Sequence, residues 1–553
     1  MSGTVREPAT TTKSLTLKGL QKGKIGAFAG AIIGISCIAP AYTMTSGIGP
    51  TISEAGLQTP FILLIGFIPM LFVLMGYREL NTSMPDSGST FTWSSRAFGP
   101  WIGWLGGWGL VAATALVLSN LAAVAVDFLF IALAQIFGNP ELADLTRNLW
   151  INIPVVALLT ALAAYVAYRG VEETKRVQYT LVGLQAIALV WFVVAAIVKI
   201  RNGEAYDYTP VSLDWFNPAM LGPDGFSFSV LMAGLSLSIF MFWGWDVIVT
   251  MNEEAKDPRR TPGRAALLTI AIIVVTYLTV TIVLLSYAGI GTTGLGAGNP
   301  DLQESLFAAL APEVMGPFAL LMSLAIFASS ASSLQSTLVS PSRTLQAMSH
   351  YGAVPKAFGR LSKYKTPGAP TFWAATASVL FYVLMRVISE DALWDTITAM
   401  GIMVCFYYGI TGLAAFWYFR GTWFANVGNF FRRFLLPLLG GLSLTVMFGI
   451  TLYDSMDPDF GSGNAIFGTT LPDGTVEGGV GVVFVAGLVI LGGGALLMLI
   501  YSFVNPGFFR GKEIEVGSVL QETEMVPFDA SATAEASAQR IEEAPAHRTG
   551  EGG

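Results

Sequence analysis

Between Phe28 and Val504 the chain is a succession of apolar runs separated by short polar stretches. The runs have the length that crosses a bilayer, since a hydrocarbon core of about 30 Å takes roughly 20 helical residues. About twelve occur, over residues 27–52, 59–78, 101–136, 151–168, 177–199, 228–253, 265–289, 313–348, 370–388, 394–419, 433–453 and 479–503. The third and eighth exceed a straight crossing and read as single tilted helices that extend beyond the membrane. With an even number of crossings and both termini inside, all but four of the 30 Lys and Arg residues fall on the inner side, the exceptions being Arg147, Lys199, Arg201 and Arg386. Retention of positive charge in cytoplasmic loops predicts that asymmetry. The expected fold is an all-α polytopic membrane protein with both termini cytoplasmic.

The pattern divides the chain into a polar cytoplasmic lead over residues 1–24, a core over 25–419, two further crossings over 420–505 and a tail over 506–553. The lead has no short apolar core followed by a small-residue cleavage site, so it does not read as a signal peptide. The tail is acidic, rich in Ala and Ser and poor in aromatics, a composition that predicts disorder. Outer loops at about 201–227 and 454–478, rich in Gly, Pro, Asp and aromatics, read as lids or plain surface loops.

Composition narrows the function. Hydrophobic residues make up 53% and charged ones 12%, against about 25% charged in a soluble domain, and mean hydropathy is +0.61. The formal net charge of −7 leaves no basic face for a phosphate backbone, so nucleic acid is not an expected partner. Cys37 and Cys405 are the only cysteines and lie in apolar runs, and His350 and His547 are the only histidines. Neither a disulfide framework nor a Cys- or His-based metal site is expected.

Two runs contain helix breakers at mid-depth. The first reads GAIIGISCIAPAYTMTSGIGP, where Pro40 cannot donate to the Ser36 carbonyl and suits the first turn of a restarted helix. Its Ser46–Pro50 cluster reads as the outer helix end. The sixth run centres on Phe242-Trp243-Gly244-Trp245-Asp246, joining a flexible Gly, aromatics and an acid. Interrupted backbone at that depth survives only where it lines a protein cavity, and paired interrupted helices point to a transport site. Runs one and six hold the same place in successive groups of five, which predicts an inverted five-helix repeat with helices 1 and 6 broken. The half-helix beginning after the first break would present N–H groups and a positive dipole end to an anionic group.

Four stretches resemble the amino acid-polyamine-organocation superfamily of secondary transporters with the LeuT-type fold. They are Gly30–Gly34; Pro85-Asp86-Ser87-Gly88-Ser89-Thr90-Phe91-Thr92-Trp93 with Ala97–Pro100; Phe242–Asp246 with Asn252-Glu253-Glu254-Ala255-Lys256-Asp257-Pro258-Arg259-Arg260-Thr261-Pro262; and Ser342-Arg343-Thr344 with Ala347-Met348 and Gly352–Pro355. The third is the most specific. The resemblance implies alternating-access uptake of an amino acid across the plasma membrane, driven by a proton or sodium gradient without a resident cofactor. A polyamine or other organic amine is the alternative cargo. By position, the family's carboxylate-binding segment falls on Gly34, Ile35, Ser36 and Cys37, although the common Gly-Thr/Ser-Gly-Ile-Phe pattern is replaced here by Gly34-Ile35-Ser36-Cys37-Ile38. The sixth-helix pocket falls on Phe240, Trp243, Gly244 and Asp246, with Phe242 beside them.

Asp246 is the candidate for pairing with a substrate ammonium or carrying a proton, because an acid at that depth is functional by default. Its bland alternative is a carboxyl satisfied by a neighbouring hydroxyl. Phe240, Phe242 and Trp243 are able to cap a cation or apolar group by π contact, or simply to pack. Where some proton-coupled relatives carry a fifth-helix lysine, this chain has Gln185. Ser333, with Ser332, Ser336 and Thr337, offers hydroxyl oxygens for sodium, or small side chains for close helix packing. Glu253, Glu254 and Arg260 are candidates for an inner ion-pair gate. The segment 19–25 falls short of a phosphate-binding loop, which argues against an ATP-driven pump. Scattered ionisable groups make poor material for an enzyme. A sensor built on the same scaffold is a further alternative.

Overall fold

The computed structural model describes residues 18–222, 225–303, 305–388, 392–457, 460, 465–466, 468–470, 476–512 and 514. The expected tail therefore lies outside the described residues beyond 514, as do residues 1–17 of the lead. Ten helical stretches are long and apolar enough to cross a membrane. The first, Ala27–Ser83, holds two crossings, and the shorter apolar helix Phe228–Met241 supplies another, which gives the twelve spans that the hydropathy pattern predicts.

Span one is two helices, Ala27–Ile38 and Pro40–Ala55. Span two is Thr59–Ser83, span three Pro100–Phe137, span four Leu149–Arg169 and span five Val171–Arg201. Span six is Phe228–Met241, then an irregular stretch, then the short helix Val247–Thr250. Spans seven to ten are Thr261–Ala288, Ala319–His350, Gly368–Ile388 and Ala392–Tyr418. Spans eleven and twelve are Leu436–Asp454 and Val482–Val504. Spans four and five meet with no loop between them, because Gly170 at φ 108 makes the whole turn in one residue.

Three details differ from the sequence reading. The first span does not end at Ser46–Pro50 but stays helical to Ala55, and Thr51 Oγ1 bonds the Gly47 carbonyl at 2.6 Å beside the ladder bond that Pro50 removes. The eighth run is not one helix from 313. Gly316, at φ 54, and Pro317 separate a short helix, Leu306–Met315, from the span proper. A further helix, Thr90–Phe98, packs between spans three and ten, where the sequence reading had only a connecting motif.

Two pairs of two-residue strands sit between spans eleven and twelve, Ala465–Ile466 with Val480–Gly481 and Thr469–Thr470 with Val476–Glu477. The loop before span six is strapped to the end of span seven by Asp207 N to Tyr287 O (3.0 Å) and Thr209 N to Ser286 O (3.1 Å).

Candidate transport site

The two breaks touch. Ala39 adopts a left-handed conformation (φ 56, ψ 67), which costs a non-glycine residue roughly 1–2 kcal/mol. Several contacts hold it there. Ala39 N donates to Ile35 O at 2.8 Å, Thr43 Oγ1 to Ile38 O at 2.5 Å, and Ser333 Oγ of span eight to Cys37 O at 2.7 Å. Opposite, Gly244 turns at φ 110, and a β-carbon there would lie 3.2 Å from the Cys37 carbonyl carbon, Cys37 Sγ and Ile38 N. A glycine is required both by the backbone conformation and by the approach of the other break.

This contact brings Asp246 to the crossing. The side chain is 3% exposed and its Oδ2 accepts from Tyr407 Oη of span ten at 3.1 Å. Tyr407 Oη in turn accepts from Trp243 Nε1 at 2.5 Å. Buried acids among the described residues are Glu79, Asp86, Asp246 and Glu254. Three of them meet cations: Glu79 meets Arg433 at 2.8 Å, Asp86 meets Lys18 at 2.8 Å and Glu254 meets Arg343 at 2.6 Å. Asp246 has no such ion pair among the described residues. In a low-dielectric site a carboxyl held by neutral donors remains available to a proton or an incoming ammonium.

The remaining site expectations divide. Phe240 and Trp243 are buried at the break. The Phe242 ring lies 5.6 Å from Phe67 of span two and 5.4 Å from Tyr277 of span seven. Gly34, Ile35, Ser36 and Cys37 lie in continuous helix before the break. A β-carbon on Gly34 would meet Thr269 Oγ1 at 2.5 Å, so this glycine permits packing against span seven. Ser36 Oγ lies 3.1 Å from Ser336 Oγ and Cys37 Sγ 3.4 Å from Thr337 Oγ1, both on span eight. The N–H groups of the restarted helix also have partners: Tyr42 N donates to Ser329 Oγ at 3.1 Å and Ala41 N to Gln185 Oε1 at 3.5 Å. Gln185 therefore joins spans one, five and eight, since Ser329 Oγ also donates to its Oε1 at 2.7 Å.

At the inner end the expected gate residues change partners. Glu254 pairs with Arg343, not Arg260: Arg343 Nε and Nη2 lie 2.6 and 3.0 Å from its two oxygens. Arg260 is exposed, with its backbone N–H on Asp257 Oδ1 at 3.2 Å. Glu253 pairs with Lys18 at 2.7 Å, and the same ammonium reaches Asp86. Burial works against the Asp86 charge, yet Lys18 outweighs it and, with Tyr351 and the Gly88 N–H, holds the carboxyl down to about 2. Burial likewise opposes the Lys18 charge, and the two carboxylates overcome it and raise its pKa. The lead is thus fastened from Lys18 onward: Lys24 N and Ile25 N donate to Glu254 O, and Lys256 N donates to Ile25 O at 2.8 Å.

Sequence reasoning missed Lys18, Asp86, Arg343 and Tyr407 as site residues. Asp86 and Arg343 stood within recognised motifs without an assigned role, and Tyr407 carried no local signal.

Two broken spans crossing at a buried acid, inside a bundle of apolar helices, define a helical membrane transporter. The amino acid permease family model matches residues 30–466, and the chain belongs to that family, whose members are transporters and not enzymes. It is similar to the branched-chain amino acid permease BcaP of Lactococcus lactis, with 28% identity over 61% of this chain and 72% of that protein. It is also similar to the D-serine/D-alanine/glycine transporter of Escherichia coli K12, with 28% identity over 65% of this chain and 73% of that protein. The human large neutral amino acids transporter small subunit 2 is 23% identical over 69% of this chain and 66% of its own. The crystal structure of MhsT in complex with L-phenylalanine shares the fold, with a TM-score of 0.56 and 16% identity over 78% of this chain and all of that one. The protein is an amino acid transporter.

Proposed function

We propose that the protein is a proton-driven importer of neutral amino acids in the plasma membrane, with both termini in the cytoplasm, that works by alternating access around the Gly244–Cys37 crossing. The observation that carries this reading is Asp246, a buried carboxyl hydrogen-bonded by Tyr407 at 3.1 Å and set between the breaks. Asp246 carries the proton, and the amino acid's charged ends meet the irregular backbone of the two breaks. Neutral side chains suit the site because Phe240, Trp243 and Tyr42 are buried aromatics on the two broken spans, and the stretches 36–43 and 240–250 contain no basic residue. The names of the relatives, which specify branched-chain, small and large neutral amino acids, support the same class.

On this reading the inner end closes by ion pairs. Lys18 holds Asp86 and Glu253, Arg343 holds Glu254, and both contacts part when the site opens inward.

A sodium-driven variant is the second reading. Cys37 O and Ser333 Oγ lie 2.7 Å apart with Thr337 Oγ1 beside them, and a hard cation favours such oxygens. The test is uptake by purified protein in proteoliposomes, with labelled leucine, serine, lysine, glutamate and putrescine offered under separate proton and sodium gradients. Saturable accumulation of a neutral amino acid under the proton gradient is expected. Accumulation under sodium alone, or of charged substrates or putrescine in preference, overturns the corresponding part.

A further inference from the structure

A buried polar seam leaves Asp246 toward the inner end of the protein, apart from the crossing of the two breaks. Thr411 lies one turn beyond Tyr407 on span ten, about 6 Å along the axis. Its hydroxyl is 2.8 Å from Tyr407 O and 2.9 Å from Thr90 Oγ1. Tyr77 Oη of span two completes a triad, 2.9 Å from Thr90 Oγ1 and 3.2 Å from Thr411 Oγ1. All three side chains are fully buried.

Between the triad and Asp246 stand Trp245 and Tyr408. Their rings lie 5.1 Å apart, and the Tyr77 ring lies 5.0 Å from Trp245 and 5.6 Å from Tyr408. Tyr408 Oη interacts with the Asp246 carboxyl and with Tyr407, while Trp245 Nε1 makes no hydrogen bond among the described residues. The same holds for the buried hydroxyls of Ser89, Ser94 and Ser95, in and before the helix Thr90–Phe98. A dry, unpartnered group of this kind costs about 1–3 kcal/mol. Buried polar groups of this kind are commonly completed by ordered water.

Titratable groups within electrostatic reach of Asp246 are Cys37 from span one, Tyr77 from span two, and Tyr407 and Tyr408 from span ten. The charged groups near the far end are Arg96 on the short helix and the cluster Lys18, Asp86, Glu253, Glu254 and Arg343. Asp86 is held ionised by Lys18 and so does not store a proton.

We propose that this seam, running through Tyr407, Tyr408, Tyr77, Thr411 and Thr90, is the proton's route between Asp246 and the inner face, separate from the path of the amino acid. The proposal rests on the reading of Asp246 as the proton carrier. In the inward step the O–H bond of the Asp246 carboxyl breaks and each hydroxyl or water in the chain accepts one proton and passes on another. A hydronium ion leaves at the inner end, and Asp246 is left as the carboxylate that the next outer proton neutralises.

The test uses the full chain in proteoliposomes, carrying Thr90→Val, Thr411→Val or, from a different element, Tyr77→Phe. Two rates are compared: substrate-dependent acidification of the lumen, read by an internal pH dye, and counterflow of labelled against unlabelled leucine, which needs no net proton movement. Acidification is expected to fall about tenfold or more in each variant, with counterflow within about twofold of the unsubstituted protein. Equal loss of both rates, or acidification unchanged, overturns the seam as a proton route. Absence of substrate-linked acidification in the unsubstituted protein overturns the reading of Asp246 itself, and that result is obtained before any variant is compared.

Discussion

Arg343 grips Glu254 with two nitrogens, Nε at 2.6 Å and Nη2 at 3.0 Å from the two carboxylate oxygens, and both side chains are almost completely buried. The contact ties span eight to the inner end of span six, and on the proposed reading it holds the inner end closed. Removing one partner of such a pair leaves an uncompensated buried charge, at a cost of about 3–5 kcal/mol.

Arg343→Gln should therefore favour the inward-open state. Cys37, at the first break, supplies an internal probe once Cys405 is replaced by Ser. Labelling of Cys37 by a membrane-impermeant thiol reagent from the inner side should rise about tenfold or more in Arg343→Gln, with uptake lost. Unchanged labelling would show that the pair does not hold the inner end closed.

Lys18 gives a prediction with a defined pH window. Asp86 is moved from its ordinary 3.8 to about 2, so its contribution to stability is present above the ordinary value and disappears as pH falls through the shifted one. Lys18 is raised from 10.5, so its share is complete below that value and fades only at higher pH. Thermal stability in detergent should accordingly show an acid loss between about pH 4 and 2 that Lys18→Met abolishes. An identical acid limb in the variant would contradict the pairing.

Gly244→Ala places a β-carbon 3.2 Å from Cys37 and Ile38 on a backbone at φ 110. Strain of that kind is of order 1–3 kcal/mol, and here it falls on the contact between the breaks. Uptake should fall to background while the protein still reaches the membrane, as surface labelling would report. Near-normal uptake would mean that the breaks do not need to approach so closely.

Tyr407→Phe removes the hydroxyl that accepts from Trp243 and donates to Asp246. Loss of a hydrogen bond to an ionisable group is worth about 1.5–3 kcal/mol, so proton-driven uptake should drop roughly tenfold or more, with a displaced pH profile. A uniform loss with the profile unmoved would make Tyr407 a packing residue only.

Much of the fold was legible from hydropathy and from Gly and Pro placement, because a bilayer leaves few ways to arrange apolar runs of this length. The breaks at Ala39-Pro40 and Phe242–Asp246 were visible because a missing donor and a helix-breaking glycine are local properties. What depends on partners far apart in the chain was not legible. Glu254 meets Arg343 across 89 residues and Lys18 meets Glu253 across 235, whereas proximity in sequence suggested Arg260. The neighbours of Phe242 and Gly34, which are Phe67, Tyr277 and Thr269 on spans two and seven, are likewise distant in the chain and likewise hidden from a local reading.

The proton-carrying role proposed for Asp246 is tested by the pH dependence of leucine uptake and exchange in Asp246→Asn beside the unsubstituted protein. Concentrative uptake driven by an inward proton gradient should vanish in the variant, while leucine exchange persists without dependence on pH. Uptake in Asp246→Asn that still follows the proton gradient would contradict that role.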